Sequence, residues 1–251
     1  MAFTSDLTID ELLLVEEAGF EPLEFVLGAS YFHIGWQGAG WTTNCELTDV
    51  TSMMLGARMT AMSRLLAHAE KVGADGVVGM RIEMEREGHN AEFTAYGTAV
   101  RRRDGQGAAW RDRHGRPFTC DLSGEDFWGL VRGGFRPLRL SHGVCVYHVA
   151  HPGLGKALAS LFGGQAFQNV EIPQYTQALY DARETAMERM QRDAADAGGH
   201  GLVGVDVREG SHGWQSHVIE FVAVGTAITA ITDASHEVHE PPKVVVFAQD
   251  G

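Results

Sequence analysis

The stretch "GADGVVG" at Gly73–Gly79 decides the fold, because the chain repeats it as "GGHGLVG" at Gly198–Gly204. Each version follows a helix-like run and precedes an apolar one. The first glycine of each is suited to the left-handed position that ends a helix. The later glycines would let the next strand pass beneath that helix. A phosphate-binding loop has the opposite order, with its glycines between a strand and a helix N-terminus, so this pattern excludes a nucleotide loop.

The similarity between the two halves extends well beyond this stretch. In the block that contains it, eleven of 23 positions are identical. The matching pairs are Asp6–Ile34 with Asp121–Val149, Ala57–Gly79 with Ala182–Gly204, and Glu92–Val100 with Glu220–Ile228, at offsets of 115, 125 and 128. The changing offset places two insertions in the second half, within His151–Gln168 and near Ser211–Ser216. We therefore predict a tandem duplication, with domains at 1–103 and 121–232, an Arg/Gly-rich linker at 104–120 and a C-terminal tail at 233–251.

Periodicity predicts the same elements in both copies. Thr8 and Ser123 begin short helices, each with an acidic residue three positions later as in a capping box. An apolar stripe at helical spacing then predicts one long helix per copy. The stripes are Val50, Met54, Ala57, Ala61, Leu65, Ala69 and Val72, and Tyr175, Leu179, Ala182, Ala186, Met190, Ala194 and Ala197. The fold class is thus α+β, with a three-stranded antiparallel sheet covered by one long helix in each copy and bulges expected at Gly28 and Gly143.

Composition limits the function classes. The net charge is −13, which disfavours nucleic acid and anionic membranes as main partners. Three cysteines without a C-x-x-C spacing form neither a disulfide framework nor a zinc ribbon, and they suit a reducing cytoplasm. Neither a signal peptide nor a membrane-spanning run is recognisable, so we predict a cytoplasmic protein. One basic stretch remains, which is either a solvated linker or a docking segment for an acidic surface. It contains Arg101, Arg102, Arg103, Arg111, Arg113 and Arg116.

Histidines and cysteines are the candidate metal ligands, because imidazole and thiolate suit zinc, copper and nickel. We single out His33, His148, Cys145 and His151. A hydrogen-bonded structural role is the competing interpretation for the two strand histidines. Cys145 and His148 are three apart on a predicted strand, which places them on opposite faces and argues against a Cys-His catalytic pair.

Four helix arginines form the other candidate set. Arg58 and Arg64 recur as Arg183 and Arg189 in the second copy. Their retention within one chain indicates a shared role. That role is either an ion pair with a neighbouring acidic residue or helix end, or a subunit contact or anion site in a ring channel.

The pattern "AR…A…A…GADGVVG" followed by "YGTAV" resembles the YbjQ-like family, also called putative heavy-metal-binding domains. Both copies carry it, and the second departs at Gly199 and His200, where the family favours Ala and Asp. The resemblance implies a β-α-β-β fold like that of dodecin subunits, and ring-shaped homo-oligomers that are commonly pentamers. Two domains per chain would then give five chains and ten domains. The family's metal label specifies no residues in this chain.

Taken together, the sequence predicts a non-enzymatic, ring-forming protein with a binding or scaffold role. The alternative is a heavy-metal-binding protein that holds a divalent transition metal through His and Cys near its loops. An enzyme is the third hypothesis.

Overall fold

The computed structural model describes residues 4–33, 44–87, 90–149, 173–211 and 218–231. Within them the fold is α+β. The helices are α1 (Ile9–Glu17), α2 (Thr48–Lys71), α3 (Gly124–Arg132) and α4 (Pro173–Asp196), with a short 3-10 turn at Gly107–Trp110. The strands are β1 (Phe20–His33), β2 (Cys45–Glu46), β3 (Gly76–Glu87), β4 (Asn90–Arg102), β5 (Phe118–Thr119), β6 (Phe135–His148), β7 (Gly201–Ser211) and β8 (Val218–Ala230). No helix in these ranges is both long and apolar enough to span a bilayer.

Each sheet has four strands instead of the predicted three. The first sheet has the order β1-β4-β3-β5 and the second has the order β2-β6-β8-β7. The three long strands of each sheet are antiparallel and come from one copy, as expected. The fourth is a two-residue strand from elsewhere: β5 pairs parallel to β3, and β2 of the first copy pairs antiparallel to β6 of the second. A two-residue strand has no hydrophobic period, so the sequence could not predict it.

The close packing of each long helix on its sheet depends on one strand glycine. A Cβ at Gly28 would lie 2.2 Å from the carbonyl oxygen of Ala61 on α2. In the second copy, a Cβ at Gly143 would lie 2.0 Å from the carbonyl oxygen of Ala186 on α4. Strand pairing continues without a break through both glycines, so the bulges predicted there are wrong. These glycines instead remove the side chain at the point where the helix crosses the strand.

The bulges lie in the repeated glycine stretch itself. Gly79 and Gly204 have φ of 67° and 63°, and strand pairing shifts register at each of them. Gly73 and Gly198, with φ of 76° and 85°, follow the ends of α2 and α4, which confirms their predicted role. The stretch therefore ends a helix and bends the following strand, both through backbone conformations that suit glycine.

The segment predicted as a linker is partly built into the core. Phe118 and Cys120 are fully buried, and Trp110 is nearly so. Their cluster contains Phe20 of the first copy and Phe127 of the second, whose ring centroids are 5.2 Å apart. At these positions the segment is not solvated: it joins the two copies through an apolar cluster between α1 and α3.

Candidate functional site at the contact between the two copies

The long helix α2 covers its own sheet and also packs against the second one. Its Met62 belongs to the same buried cluster as Leu140, Val144 and Val146 of β6. On β6, the alternate residues Gly143 and Cys145 face α4 instead. The second sheet is therefore covered on both faces, by α4 on one side and by α2 of the first copy on the other. We call the face opposite a sheet's own helix its outer face.

The outer face of the first sheet has no such cover among the described residues. Leu27 and Tyr31 occupy the β1 positions that match His142 and Val146 of β6. They alternate with Gly28, which faces α2, so they point away from that helix. Leu27 is 44% exposed and Tyr31 is 60% exposed. The two outer faces occupy equivalent positions in the repeat, yet one is buried by α2 and the other is open.

Polar contacts fix α2 on the second copy. The backbone N–H of Val146 donates to Thr51 Oγ1 at 3.0 Å, and the backbone N–H of Leu47 donates to the Val146 carbonyl at 2.8 Å. Arg58 and Glu220 are 5% and 3% exposed, and their nearest charged atoms are 3.8 Å apart. Arg86 also reaches Glu220, at 2.7 Å. Burial lowers the pKa of Arg58, while the nearby Glu220 carboxylate opposes that shift.

The four candidate arginines do not share one environment. Arg64 and Arg189 donate to equivalent carbonyls, those of Ala29 and Val144. Arg189 also binds Glu46 of the first copy at 2.6 Å, a hydrogen bond that raises the pKa of Arg189. Arg183, the counterpart of the buried Arg58, is exposed and lies over the Tyr180 ring at 5.1 Å. Within the described ranges Arg183 makes no ion pair.

The predicted metal ligands are not gathered in one place. His33 is at the end of the first sheet, with Nδ1 3.0 Å from Asn90 Oδ1. Cys145 is buried beneath α4, where burial raises the pKa of its thiol to about 12. His148 lies on the opposite face of β6, beside Cys45 in the strand register. His151 lies outside the described residues. In the described part of the chain no three His, Cys, Asp or Glu side chains are grouped to hold a metal, and the metal assignment stays a prediction.

A cavity of about 590 Å³ lies between the copies. One wall is the apolar side of α2, and the others come from the linker segment, the start of β6 and the end of α4. The α2 wall includes Leu55, Met59, Met62 and Leu66. The facing walls carry Asp112, Arg116, Arg139, His142, Arg192 and Asp193. Its volume is within the range typical of small-molecule sites.

The polar end of this cavity centres on a buried carboxylate. Asp112 Oδ2 accepts from Arg116 at 2.8 Å and from Arg139 at 3.1 Å, and Arg139 also binds Asp193 at 2.7 Å. Beside them His142 is 8% exposed, and burial lowers its pKa to about 4, so it is neutral at pH 7. Two buried polar atoms of this cluster have no hydrogen-bond partner among the described residues: His142 Nδ1 and Asp193 Oδ2.

Few of these residues are predictable from the local sequence. His142 lies three positions before Cys145 and is not among the predicted ligands, and Asp112 lies within the Arg-rich stretch. A signal does exist in the repeat: Arg139 and Asp193 replace Glu24 and His68 of the first copy. That earlier pair is also in contact, with Glu24 Oε1 3.3 Å from His68 Nε2. The positions at which the two copies differ in charge therefore mark this site.

Comparison with known proteins matches both copies to one family. The family model described as "Putative heavy-metal-binding" matches residues 25–103 and 148–231. The chain is 42% identical over 230 residues to the encapsulin nanocompartment protein Rv1762c of Mycobacterium tuberculosis, covering 90% of this chain and 86% of that protein. It is 44% identical over 59 residues to a UPF0145 protein of Archaeoglobus fulgidus, covering 23% of this chain and 55% of that protein. A UPF0145 protein of Pyrococcus furiosus is 45% identical over 56 residues, 22% of this chain and 49% of its own length.

Proposed function

The chain belongs to the YbjQ-like, putative heavy-metal-binding family. We propose that it is a non-enzymatic scaffold protein, and that several chains assemble head to tail into a closed ring. The observation that carries this proposal is the contact between its own two domains. That contact joins unlike surfaces: a helix of one copy lies on the sheet of the other. A contact of this type leaves each partner with one unused surface and so supports continued assembly.

The two unused surfaces correspond to the two that are in contact. On the second copy, the outward side of α4 is open, with Tyr180 55% exposed and Arg183 exposed beside it. On the first copy, the outer face of the sheet is open at Leu27 and Tyr31. Placing α4 of one chain on the first sheet of the next would repeat the arrangement of α2 on the second sheet.

Charges at the open surfaces also match. The buried pair within the chain is Arg58 with Glu220. The corresponding residues are Arg183 and Glu92, and both are exposed. Head-to-tail assembly would bring Arg183 of one chain to Glu92 of the next and bury both. Arg183 and Glu92 would then form the same kind of buried pair as Arg58 and Glu220.

Closure of this assembly accounts for the apolar exposure. In a closed ring no domain keeps an uncovered apolar surface, because the open side of each α4 lies on the open sheet face of the next chain. Five chains with ten domains is the size that we propose. The name of the mycobacterial relative, an encapsulin nanocompartment protein, supports a role within a larger assembly rather than in catalysis. The strict metal-binding alternative is supported by the family's description alone.

Light scattering on the full chain tests the assembly. We expect a mass of about five times the 27.3 kDa of one chain at micromolar concentration. Arg183→Glu should dissociate the particle while its circular dichroism stays unchanged, and adding Glu92→Arg should restore it. Lys71→Glu, which makes the same charge change at the exposed end of α2, is the matched control and should leave the mass unchanged. A wild-type monomer, or an undiminished mass for Arg183→Glu, would refute the proposal.

A further inference from the structure

We propose that the cavity between the two copies binds a small amphipathic carboxylate, an organic acid with an apolar body. The apolar body would lie along α2, and the carboxylate would bind the arginines of the facing walls. The cavity is formed within one chain, so this inference is independent of the assembly proposed above.

The two copies diverge at the positions that shape the cavity. Leu55, Met59 and Leu66 provide its apolar wall on α2, and the second copy has Tyr180, Glu184 and Gln191 at the same helix positions. Positions that hold helix against sheet are retained instead, including Gly28 and Gly143, and Ala61 and Ala186. Leu55 and Leu66 also pack against the core cluster between the copies, whereas Met59 is not part of that cluster and is 61% exposed. At Met59, contact between the copies does not require an apolar side chain, which favours a role in binding.

The facing wall diverges in the same selective way. His142 stands where the first copy has Leu27, and Arg192 stands where it has Ala67. The second copy thus presents polar and cationic groups to the cavity, while the first presents a mainly apolar helix surface that also includes Ser63 and Glu70. Apolar surface with a few convergent polar groups is the usual composition of a small-molecule site.

The charge balance at the polar end favours an anion. Asp112 Oδ2 is shared between Arg116 and Arg139, so two guanidinium groups lie beside one carboxylate oxygen. Asp193 lies on the same wall and shares Arg139 with Asp112, at 2.7 Å. Counting Glu70 on α2, three carboxylates line the cavity, against four arginines: Arg116, Arg139, Arg189 and Arg192. Arg192 contributes a further cation, since its contact with Glu188 is 3.4 Å long and largely exposed, and such pairs hold a charge weakly. Arginine also binds carboxylates in a two-pronged geometry.

The net charge of the chain limits how much negative charge the ligand can carry. The net charge of −13 opposes the approach of multiply charged anions, and the local excess of arginine is small. A single carboxylate therefore fits better than a doubly charged phosphate. His142 Nδ1 provides an additional polar contact, because a neutral imidazole can donate from this atom in one of its tautomers.

Isothermal titration calorimetry with decanoate as the probe and decanol as its neutral analogue tests this inference. We expect decanoate to bind saturably with one site per chain and about tenfold more tightly than decanol, because a hydrogen bond to a charged group contributes about 1.5 kcal/mol or more. Leu66→Gln, which introduces the residue of the second copy, should weaken both ligands by about tenfold. The double variant Arg116→Gln with Arg192→Gln should weaken decanoate alone.

Arg208→Gln is the matched control, because this arginine is exposed on β7 and does not line the cavity. It should leave both affinities unchanged. Circular dichroism and the mass of the particle would verify that each variant is folded and assembled like the wild type. Absence of saturable decanoate binding to the wild type, equal affinities for decanoate and decanol, or unchanged binding to Leu66→Gln would each overturn the proposal. None of these results bears on whether the chain forms a ring.

Discussion

Arg58 and Glu220 come from different copies of the repeat and meet at 3.8 Å in a nearly water-free contact. Their counterparts Arg183 and Glu92 are both exposed. The chain therefore has the same pair of residues twice, once buried between its own domains and once on two open surfaces. This asymmetry separates the expected consequences of changing each arginine: Arg58 bears on folding, whereas Arg183 would bear on assembly in the proposed ring.

Arg58→Met should lower the free energy of unfolding by about 3 kcal/mol, because it leaves Glu220 buried with fewer cationic partners. Arg86 still reaches Glu220, which limits the loss. Arg183→Met removes the same charge from an exposed site and should change chain stability by less than about 0.5 kcal/mol. Urea unfolding of both variants measures the difference between their free energies of unfolding. The measurement is made at protein concentrations where both variants have the same oligomeric mass. Equal losses for the two variants would contradict the interdomain role of Arg58.

Gly28→Ala should lower stability by at least about 2 kcal/mol, since the new Cβ meets backbone atoms that cannot move independently of the helix. The nearest of them, the Ala61 carbonyl oxygen, would be 2.2 Å away. Gly56→Ala is the control: nothing lies within 4 Å of its Cβ position in α2, and alanine there should raise stability by about 0.5–1 kcal/mol. Thermal unfolding compares them. A stable Gly28→Ala variant would mean that the helix does not cross the strand at this residue.

Acid should destabilise the protein through His142. Its pKa is lowered from 6.5 to about 4 by burial, with Asp193 acting against the shift and Arg58 and Arg139 adding to it. As the pH falls below 6.5, the unfolded chain binds a proton that the folded chain excludes, so stability is lost between about pH 6.5 and pH 4. The loss between pH 7 and pH 5 is about 2 kcal/mol.

His142→Leu, which introduces the residue of the first copy, should remove that part of the pH dependence. Urea unfolding at pH 7 and pH 5 on both proteins gives the difference directly, and other histidines cancel in the comparison. If the variant loses as much stability as the wild type on acidification, His142 is not the buried neutral group described above.

Local features of the fold were predictable, whereas contacts between the copies were not. Gly73 and Gly198 were assigned correctly, because the position after a helix depends on neighbouring residues only. The bulges were assigned to Gly28 and Gly143 instead of Gly79 and Gly204. A strand glycine has the same sequence signal whether it bends the strand or admits a helix, and only the packing distinguishes them.

The candidate site shows the same limit. Asp112 is polar and lies in an Arg-rich stretch, which predicts a solvated side chain. In the structure it is only 6% exposed, because Arg116 and Arg139 enclose it. Nothing in the local sequence predicts that Arg139, some 27 positions later, reaches it. Pairing of distant charged residues depends on the tertiary arrangement, which no hydrophobic period encodes.

A partly buried hydrogen bond repeated beside both glycine bulges provides the last prediction. Thr98 donates to Asp6, and in the second copy Thr226 donates to Asp121 at 2.6 Å, with both threonines fully buried. The backbone N–H of Asp121 also donates to Thr226 Oγ1 at 3.2 Å. Thr226→Val keeps the shape of the side chain but removes both bonds, and should cost about 2–3 kcal/mol because the freed groups stay partly buried.

The partly exposed Thr94, on the same strand as Thr98, provides the control. Thr94→Val should change stability by less than about 0.5 kcal/mol in the same urea measurement. Thr98→Val should cost a similar amount of stability to Thr226→Val, because it also removes two hydrogen bonds. One is to Asp6, and the other joins Thr98 Oγ1 to Ser5 Oγ at 2.9 Å. If Thr98→Val and Thr226→Val are both neutral, the aspartate is not what holds the N-terminal segment of each copy against its glycine bulge. Packing of Leu7 on Gly79 and of Leu122 on Gly204 would then have to hold it.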